Sequence, residues 1–481
     1  MKKILLYIAG VIMLASCGND FLNVSPSNSA GAGDMIKNIS DLKIATRGAY
    51  ETLTSSEYYQ GEYTFVGDLM GELLMEPTWG SRHLKYYYAY GLSKVNAEYG
   101  LFQVIYKGIH NINIILSQSK QLEDSEDKRV CIAELRVLRA LMHLDVVKLY
   151  GPLYSNLGKG TIKQDALGVR IAQEPILDVR APFYRDKVSA VYEFIQKELK
   201  EAGAVLPKER RNGYLNYWGA RALLARVYLY MEMNGEAYNT AKEIIDHSGA
   251  SLYTKDKYVD SWGREYAEES LFELATSFTD NSGYTSLGWI CSEKGYKTVV
   301  PTADFIKLKD ENPDDIRFAL WQYSVKDKCY YISGKYPGRD DNIKVNNPKV
   351  IRLSEVYLIA AEAALKNNDT PGAGKYLSDL RENRTAKEPR KYETAVTLDD
   401  ILFERALELY GEGHRAWDMW RNRKEVVRYR TPEEKDAKKH SDNLTDGVIR
   451  FDFYQTIYPI SERELNLLPV ADREKQQNPG Y

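Results

Sequence analysis

Apolar residues recur three and four positions apart over several long stretches of this chain, which is the spacing of one face of an α-helix. The stretch "IAELRVLRALMHLDVVKLYG", residues 132–151, shows this period most regularly. Its apolar positions at that spacing are Leu135, Leu138, Met142, Val146 and Leu149. The pattern predicts a helix with one buried stripe, and the Gly151-Pro152 pair is expected to end that helix.

Two other stretches have the pattern of helix pairs. In residues 217–249, two helical patterns meet at an Asn234-Gly235 turn. Ala225 and Ala237 fall at the tetratricopeptide spacing, in which small residues let the two helices of a pair approach closely. Residues 354–384 repeat this arrangement, with Ala360, Ala361 and Ala364 on the first helix and Ala373, Leu377 and Leu380 on the second. The sequence therefore predicts irregular helix pairs of the tetratricopeptide type.

Long segments without a regular period separate these pairs. The helical patterns lie near 100–150, 185–248 and 350–412, and the segments between them cover roughly 55–95 and 250–348. Connections this long are usually functional or form a second lobe. They also contain many of the chain's Trp residues and Tyr clusters, so we expect a helical scaffold that carries an aromatic, loop-rich lobe.

The N-terminus has the pattern of an export signal. Residues 1–16 combine a short basic start with an apolar run that is too short to span a bilayer. The run ends in "LASC", which resembles a bacterial lipobox and predicts that Cys17 carries a lipid and begins the mature protein. An ordinary cleavage site beside a chance cysteine is the alternative. Residues 17–33 then form a Ser-, Gly- and Asn-rich tether, and 34–481 are expected to form a single binding domain.

Composition narrows the classes of function. The 65 Lys and Arg residues nearly balance the 68 Asp and Glu residues, so no overall field favours a nucleic-acid partner. The 37 Tyr against 12 Phe suit a surface that needs flat apolar faces with polar tips. Cys131, Cys291 and Cys329 have no metal-site spacing, which leaves a Cys291–Cys329 disulfide open. Neither the histidines nor any phosphate-binding motif indicates a metal or another cofactor.

Five motifs, in order along the chain, resemble those of the SusD/RagB family of surface nutrient-binding lipoproteins from Bacteroidetes-type bacteria. They are "YKGIHNINIIL", "AELRVLRALMHLDVVKLYG", "SEVYLIAAEA", "ILFERALELYGEGHRAWDMWR" and the pair "YPISEREL" with "QNPGY". The departures are small, such as Ser461 where the family often has a proline. The resemblance implies a mainly α fold with four irregular tetratricopeptide-type helix pairs and a loop-rich lobe.

The fourth motif contains the densest group of charges in the chain. These are Glu404, Arg405, Glu408, Glu412, Arg415 and Asp418. Carboxylates one helical turn apart could indicate acid–base chemistry, but the interspersed arginines favour a structural ion-pair network. A glycosidase needs two carboxylates that flank a cleft, and the sequence isolates no such pair. We therefore expect no catalytic residues.

The aromatic segments supply the candidate ligand contacts. A solvent-facing Trp or Tyr can stack on the C–H face of a sugar ring, while a neighbouring polar group fixes the ligand's orientation. In the family, glycan-stacking aromatics tend to come from the two long segments, and the resemblance directs attention to Trp79, Arg82, Tyr284, Trp289 and Tyr296. For any one tyrosine, packing inside the lobe is the alternative.

The resemblance implies a complete function. The protein would capture an oligosaccharide, dock its helical face on a SusC-like TonB-dependent outer-membrane transporter as a lid, and be anchored in the outer-membrane lipid, facing outward. A peptide ligand, as in RagAB-type uptake systems, is the runner-up. A hydrolase and a tetratricopeptide scaffold for protein partners are the other classes to separate by experiment.

Overall fold

The structure is a computed structural model, which describes residues 35–98, 100–176, 178, 181–182, 184–442 and 444–481. The predicted signal peptide, the lipidation site at Cys17 and the tether all lie outside the described residues. The described part of the chain is mainly helical, as the sequence predicts.

Eighteen helices follow one another along the described residues. They are α1 (Ile39–Glu51), α2 (Glu62–Leu69), α3 (Lys85–Tyr88), α4 (Leu101–Ser119), α5 (Glu126–Tyr150), α6 (Val188–Gly203), α7 (Tyr217–Tyr230), α8 (Asn234–His247), α9 (Tyr258–Gly263), α10 (Leu287–Ile290), α11 (Ala303–Glu311), α12 (Leu353–Lys366), α13 (Thr370–Glu382), α14 (Leu398–Leu409), α15 (Arg415–Arg421), α16 (Pro432–Lys438), α17 (Glu462–Leu465) and α18 (Val470–Gln476).

The long helices pack as a series of neighbours. Helix α5 contacts α1, α4 and α6, and α6 continues the series to α7 and α8. Helix α12 then packs against α8, α13 and α14. Alanines at the predicted small positions, such as Ala225, Ala237 and Ala361, are fully buried between these helices. The helix-pair scaffold is confirmed.

Helix α5 begins and ends where its flanking residues dictate. The Ser125 hydroxyl accepts from the Lys128 backbone N–H at its start, and Gly151 follows its last residue. The expected single buried stripe is wrong, however, because every residue from 137 to 150 is buried. Polar residues among them form hydrogen bonds with neighbouring elements. Asp145, for example, accepts hydrogen bonds from Tyr58, Tyr59 and Tyr63.

The turn between α7 and α8 differs slightly from the expectation. Asn234 is the first residue of α8, so the turn lies at 231–233 rather than at Asn234-Gly235. Glu232 makes it possible with a left-handed backbone at φ 56°.

Eight short strands form four antiparallel pairs in the described residues. They are β1 (Leu74–Met75), β2 (Ser270–Glu273), β3 (Val300–Pro301), β4 (Gln322–Ser324), β5 (Cys329–Tyr331), β6 (Lys349–Arg352), β7 (Val426–Val427) and β8 (Val448–Ile449). β1 pairs with β3, β2 with β6, β4 with β5, and β7 with β8. The β1–β3 pair joins the two long segments across 227 positions of sequence, with Leu74 opposite Pro301.

Of the three hydrophobic clusters in the described residues, the two largest reflect the division into scaffold and lobe, and the third is a small one around Trp262. The largest cluster fills the space between the long helices. The second combines Phe65, Tyr88, Ile290 and Phe305 from the two long segments with Tyr410, just after α14. The two segments therefore build one shared aromatic lobe beside the scaffold.

The cysteines of the described residues form no disulfide. Cys291 and Cys329 are free rather than paired, and Cys131 is buried in the core. None of the helices in the described part of the chain has the length and apolar character needed to cross a bilayer.

Candidate ligand-binding surface

Backbone hydrogen bonds bring the two predicted ligand-binding segments together. The Ser81 N–H donates to the Tyr296 carbonyl at 3.0 Å, and the Tyr296 N–H donates to the Trp289 carbonyl at 2.8 Å. Gly80 permits this approach, because a Cβ there would lie 2.6 Å from the Lys297 carbonyl oxygen. We call the outer face of residues 79–82, 284–289 and 296 the aromatic surface.

The Trp79 side chain is anchored at one edge of its ring, and much of the remaining ring is exposed to solvent. Its indole makes a side-chain hydrogen bond with Tyr331, which is buried, while 41 % of Trp79 stays exposed. The Lys439 ammonium lies 6.0 Å from the ring centroid. A fixed indole with an exposed face is suited to stacking on a flat ligand.

Arg82 is turned partly toward the protein. Its backbone is left-handed at φ 60°, and its Nη1 donates to the Ser441 hydroxyl at 3.0 Å. Its Nε lies 3.8 Å from the Glu76 carboxylate, and 33 % of the side chain is exposed. Part of the guanidinium is therefore available beside Trp79, and the rest holds the loop in place.

Glu76 lies beneath this loop and is fully buried. One carboxylate oxygen accepts from the Leu84 N–H at 2.9 Å, and the other has no hydrogen-bond partner. Burial raises the pKa of Glu76 to about 7, although the Leu84 N–H and the Arg82 charge oppose the rise. A carboxyl group whose pKa is about 7 therefore lies directly behind the aromatic surface.

Tyr284 and Trp289 form an edge-to-face pair with ring centroids 4.8 Å apart. Tyr284 is 59 % exposed, and Trp289 is half-buried. The Lys344 ammonium lies 3.7 Å from the centre of the Tyr284 ring and 5.4 Å from that of Trp289. Lys344 makes no ion pair with any carboxylate of the described residues.

Tyr296 is more enclosed than predicted. It is half-buried, and its ring packs against His83 with centroids 5.4 Å apart. His83 in turn lies 3.3 Å from Glu62, whose hydrogen bond raises the pKa of the imidazole. Tyr296 thus supports the surface more than it extends it.

The segments that carry the five residues predicted from the sequence are joined by backbone hydrogen bonds, and the assignment of these residues to a ligand stays a prediction. The most exposed are Trp79 and Tyr284. The two lysines that cover their rings, Lys344 and Lys439, were not predicted, because a single lysine in a loop carries no sequence signal. Most other rings of the lobe pack inward, and those that are buried include Tyr88, Tyr90, Trp262, Trp321 and Tyr331.

The charged motif of α14 and α15 is a buried ion-pair network, as the interspersed arginines indicate. Its pairs are Glu404 with Arg317 and Arg381, Glu408 with Arg352 and Arg384, Glu412 with Arg352 and Lys335, Arg405 with Asp418, and Arg415 with Glu72. Most partners come from other elements, so the network ties α14 to the lobe and to α13.

Each carboxylate of this network is paired with at least one cation. Burial alone would raise the pKa of Glu408, but the Arg384 and Arg352 guanidiniums outweigh it and hold that pKa far below its ordinary value. A general acid needs the opposite shift. No group of His, Cys, Asp and Glu suited to holding a metal ion occurs among the residues that the structure describes.

Solved structures of SusD superfamily proteins have the same fold as this chain. The chain shares its fold with a SusD superfamily protein from Bacteroides thetaiotaomicron, at 28 % identity and TM-score 0.81, covering 92 % of this chain and 100 % of the other. A surface glycan-binding protein A of the same organism, solved with laminarihexaose, has the same fold at 17 % identity and TM-score 0.69, covering 92 % of this chain and all of the other.

Sequence comparison agrees with the structural match. One family model, described as starch-binding associating with outer membrane, matches residues 20–229, and a second, described as SusD family, matches 316–481. A SusD-like protein of Bacteroides ovatus is 24 % identical over 87 % of this chain and 82 % of its own length. The chain belongs to the SusD/RagB family.

Proposed function

We propose that this protein is a surface lipoprotein that captures oligosaccharides and delivers them to a SusC-like TonB-dependent outer-membrane transporter. The observation that carries the proposal is the aromatic surface, where Trp79, Tyr284 and Trp289 present ring faces on segments tied together by backbone hydrogen bonds. The laminarihexaose bound by a relative of the same fold supports a glycan as the ligand class.

Capture would use stacking and hydrogen bonds. Each ring can contact one sugar face, and Arg82 and Lys344 can donate to hydroxyl groups at its rim. A sugar that stacks on Tyr284 must displace the Lys344 ammonium, which costs about 0.5–1 kcal/mol at an exposed cation–π contact. Several rings acting on one chain offset that cost, so the surface favours an oligosaccharide over a monosaccharide.

Delivery would depend on the helical scaffold and the lipid anchor. The helical face would dock on the transporter and the lobe would face outward, so that the protein acts as a lid. The family description of association with the outer membrane and the lipobox at Cys17 support this arrangement. In this proposal the protein catalyses no reaction on the glycan, because the carboxylates of the charged motif are held in ion pairs.

Isothermal titration tests the ligand class and the site together. The mature protein is titrated with laminari-, malto- and xylo-oligosaccharides and with a matched set of short peptides. We expect a glycan to bind, and Trp79→Ala and Trp289→Ala each to weaken it about tenfold, the loss of one stacked aromatic contact. Tyr184→Ala is the control, because Tyr184 has a similar exposure of 44 % and contacts Asp472 instead.

Three outcomes would redirect the proposal. Unchanged glycan affinity in both Trp variants would place the ligand elsewhere on the protein. Binding of peptides without glycans would favour the RagAB-type alternative. New reducing ends after incubation with a bound glycan would identify a hydrolase.

A further inference from the structure

A cavity of about 580 Å³ lies apart from the aromatic surface. The end of α5, helix α15, the loop at 161–167, the turn at 451–457 and the C-terminal tail enclose it. Trp417, Trp420, Phe451 and Phe453 line it. A partly enclosed aromatic cavity of this size has the dimensions of a small-molecule site. None of the residues of the aromatic surface belongs to it.

Two buried cations, Lys148 and Arg185, also line the cavity. Within the described residues, the Lys148 ammonium makes one hydrogen bond, to the Tyr63 hydroxyl at 3.2 Å, and it lies 4.1 Å from the Trp417 ring centre. Burial lowers the pKa of Lys148 to about 8, although the Asp145 carboxylate, which accepts from the same Tyr63 hydroxyl, opposes this fall. Arg185 donates to backbone carbonyls and to the Asn478 side chain, none of which is charged.

These two cations differ from all the other buried lysines and arginines in the described residues. The others each have a carboxylate partner: Arg139, Arg226, Arg317, Lys335, Arg352, Arg381, Arg384, Arg405, Arg421 and Arg428. Lys148 and Arg185 form no ion pair with a carboxylate of the described residues. Burying an unpaired charge is costly, so a negative group in this cavity would be favoured.

The carboxylates at the cavity do not supply that charge. Asp452 pairs with Arg450 and accepts from Thr161, and Asp165 is exposed. Lys163 and Lys187 are exposed lining residues that add further positive charge. The cavity therefore has an excess of positive charge around aromatic walls.

Two buried polar atoms on lining residues have no hydrogen-bond partner in the described part of the chain. The Asn156 side chain donates to the Trp420 carbonyl at 3.0 Å, which leaves its Oδ1 as an unused acceptor. The Trp420 Nε1–H is an unused donor. Buried polar atoms normally have partners. One free acceptor and one free donor match a ligand that bears both a hydroxyl and an oxygen acceptor.

We propose that this cavity is a second binding site, which takes a ring-shaped organic carboxylate with at least one hydroxyl group. The carboxylate lies at Lys148, the ring lies against the aromatic walls, and the hydroxyl donates to Asn156. Uronic acid sugars and hydroxylated aromatic acids share this chemistry. The proposal is independent of the aromatic surface.

The test uses calorimetry on the mature protein with two arms of ligand. One arm compares D-glucuronate and D-galacturonate with neutral D-glucose, and the other compares 4-hydroxyphenylacetate with its neutral alcohol. We expect the carboxylate of one arm to bind about tenfold more tightly than its neutral counterpart, and the arm that binds identifies the ligand's source. The same ligand is expected to raise the melting temperature.

Lys148→Met is the decisive variant, because it keeps the side-chain length and removes the buried charge. We expect it to weaken carboxylate binding about tenfold and to abolish the rise in melting temperature. Trp420→Phe, which loses only the Nε1–H and part of the ring, should weaken binding less. The control is Lys159→Met, an exposed lysine outside the cavity lining.

The proposal is overturned if carboxylates and neutral analogues bind equally or not at all, which would indicate a water-filled cavity. It is also overturned if Lys148→Met keeps the parent affinity. Trp79→Ala should leave this binding unchanged, so failure here and failure of glycan binding at the aromatic surface can be told apart.

Discussion

At the scale of single residues, Glu76 makes stability depend on pH near neutrality. Its pKa is about 7 in the folded protein because the carboxyl is buried, against about 4.3 in an unfolded chain. At a pH between these two pKa values, the Glu76 carboxyl keeps its proton in the folded protein and has released it in the unfolded chain. The free energy of unfolding should therefore fall as pH rises through this range, by about 3–4 kcal/mol in total.

Glu76→Gln isolates this contribution, since Gln cannot ionise but can still accept from the Leu84 N–H. Urea unfolding should show similar stabilities for parent and variant at pH 5 and a more stable variant at pH 8. The control is Glu293→Gln, an exposed carboxylate of the same lobe. A constant difference between parent and Glu76→Gln across this range would contradict the assignment.

Single residues also show how far sequence reasoning reaches at the site. Trp79 could be singled out because Pro77 and Gly80 around it indicate a turn, where burying a large ring is difficult. Lys344 could not, because its role depends on a contact with Tyr284, 60 positions away in the chain. The exposure of each tyrosine is likewise decided by packing, which leaves Tyr284 open and Tyr88 fully buried.

At the scale of elements, α14 depends on buried ion pairs that it makes with distant arginines. The Glu408 carboxylate accepts from Arg384 at 2.8 Å and from Arg352 at 3.1 Å, and all three side chains are buried. Glu408→Gln would remove one of the carboxylates that these guanidiniums share, because Glu269 pairs with both and Glu412 with Arg352, and the buried positive charge would then be incompletely compensated. We expect it to lower the free energy of unfolding by about 3–5 kcal/mol in urea denaturation.

Asp246→Asn on α8 is the matched control, because its pair with Lys242 is exposed. That substitution should cost less than about 0.5 kcal/mol. If Glu408→Gln cost as little, hydrogen bonding by the amide would be sufficient and the ionic character of the network would not matter for stability.

Elements were predicted from the sequence to different degrees. The helical period located α5, α7, α8, α12 and α13, and local residues such as Ser125 and Gly151 set where α5 begins and ends. The period failed to show that α5 is buried on all sides. Its polar positions are satisfied by Tyr58, Tyr59 and Tyr63, and such long-range partners leave no local pattern.

At the scale of the whole molecule, two segments distant in sequence become one lobe. Sequence reasoning identified both as non-helical and aromatic, but their pairing through β1 and β3 rests on contacts of only two residues per strand. Strands this short have too few residues to show an alternating pattern. The pairing of these segments places the aromatic surface on the lobe. The helix pairs, which the resemblance implies would dock on the transporter, form the other part of the molecule.

The proposed lid also needs a tether to the membrane, which makes Cys17 the test at this scale. Several acyl chains on one residue anchor a protein stably, whereas a single chain binds only marginally. We expect Cys17→Ala to move the protein from the membrane fraction to the soluble fraction, without changing glycan affinity in titration. Cys329→Ala, which removes a half-buried free thiol, should leave the protein in the membrane fraction. If Cys17→Ala stayed there as well, the attachment would come from the transporter or another surface, and the lid would be held by protein contacts alone.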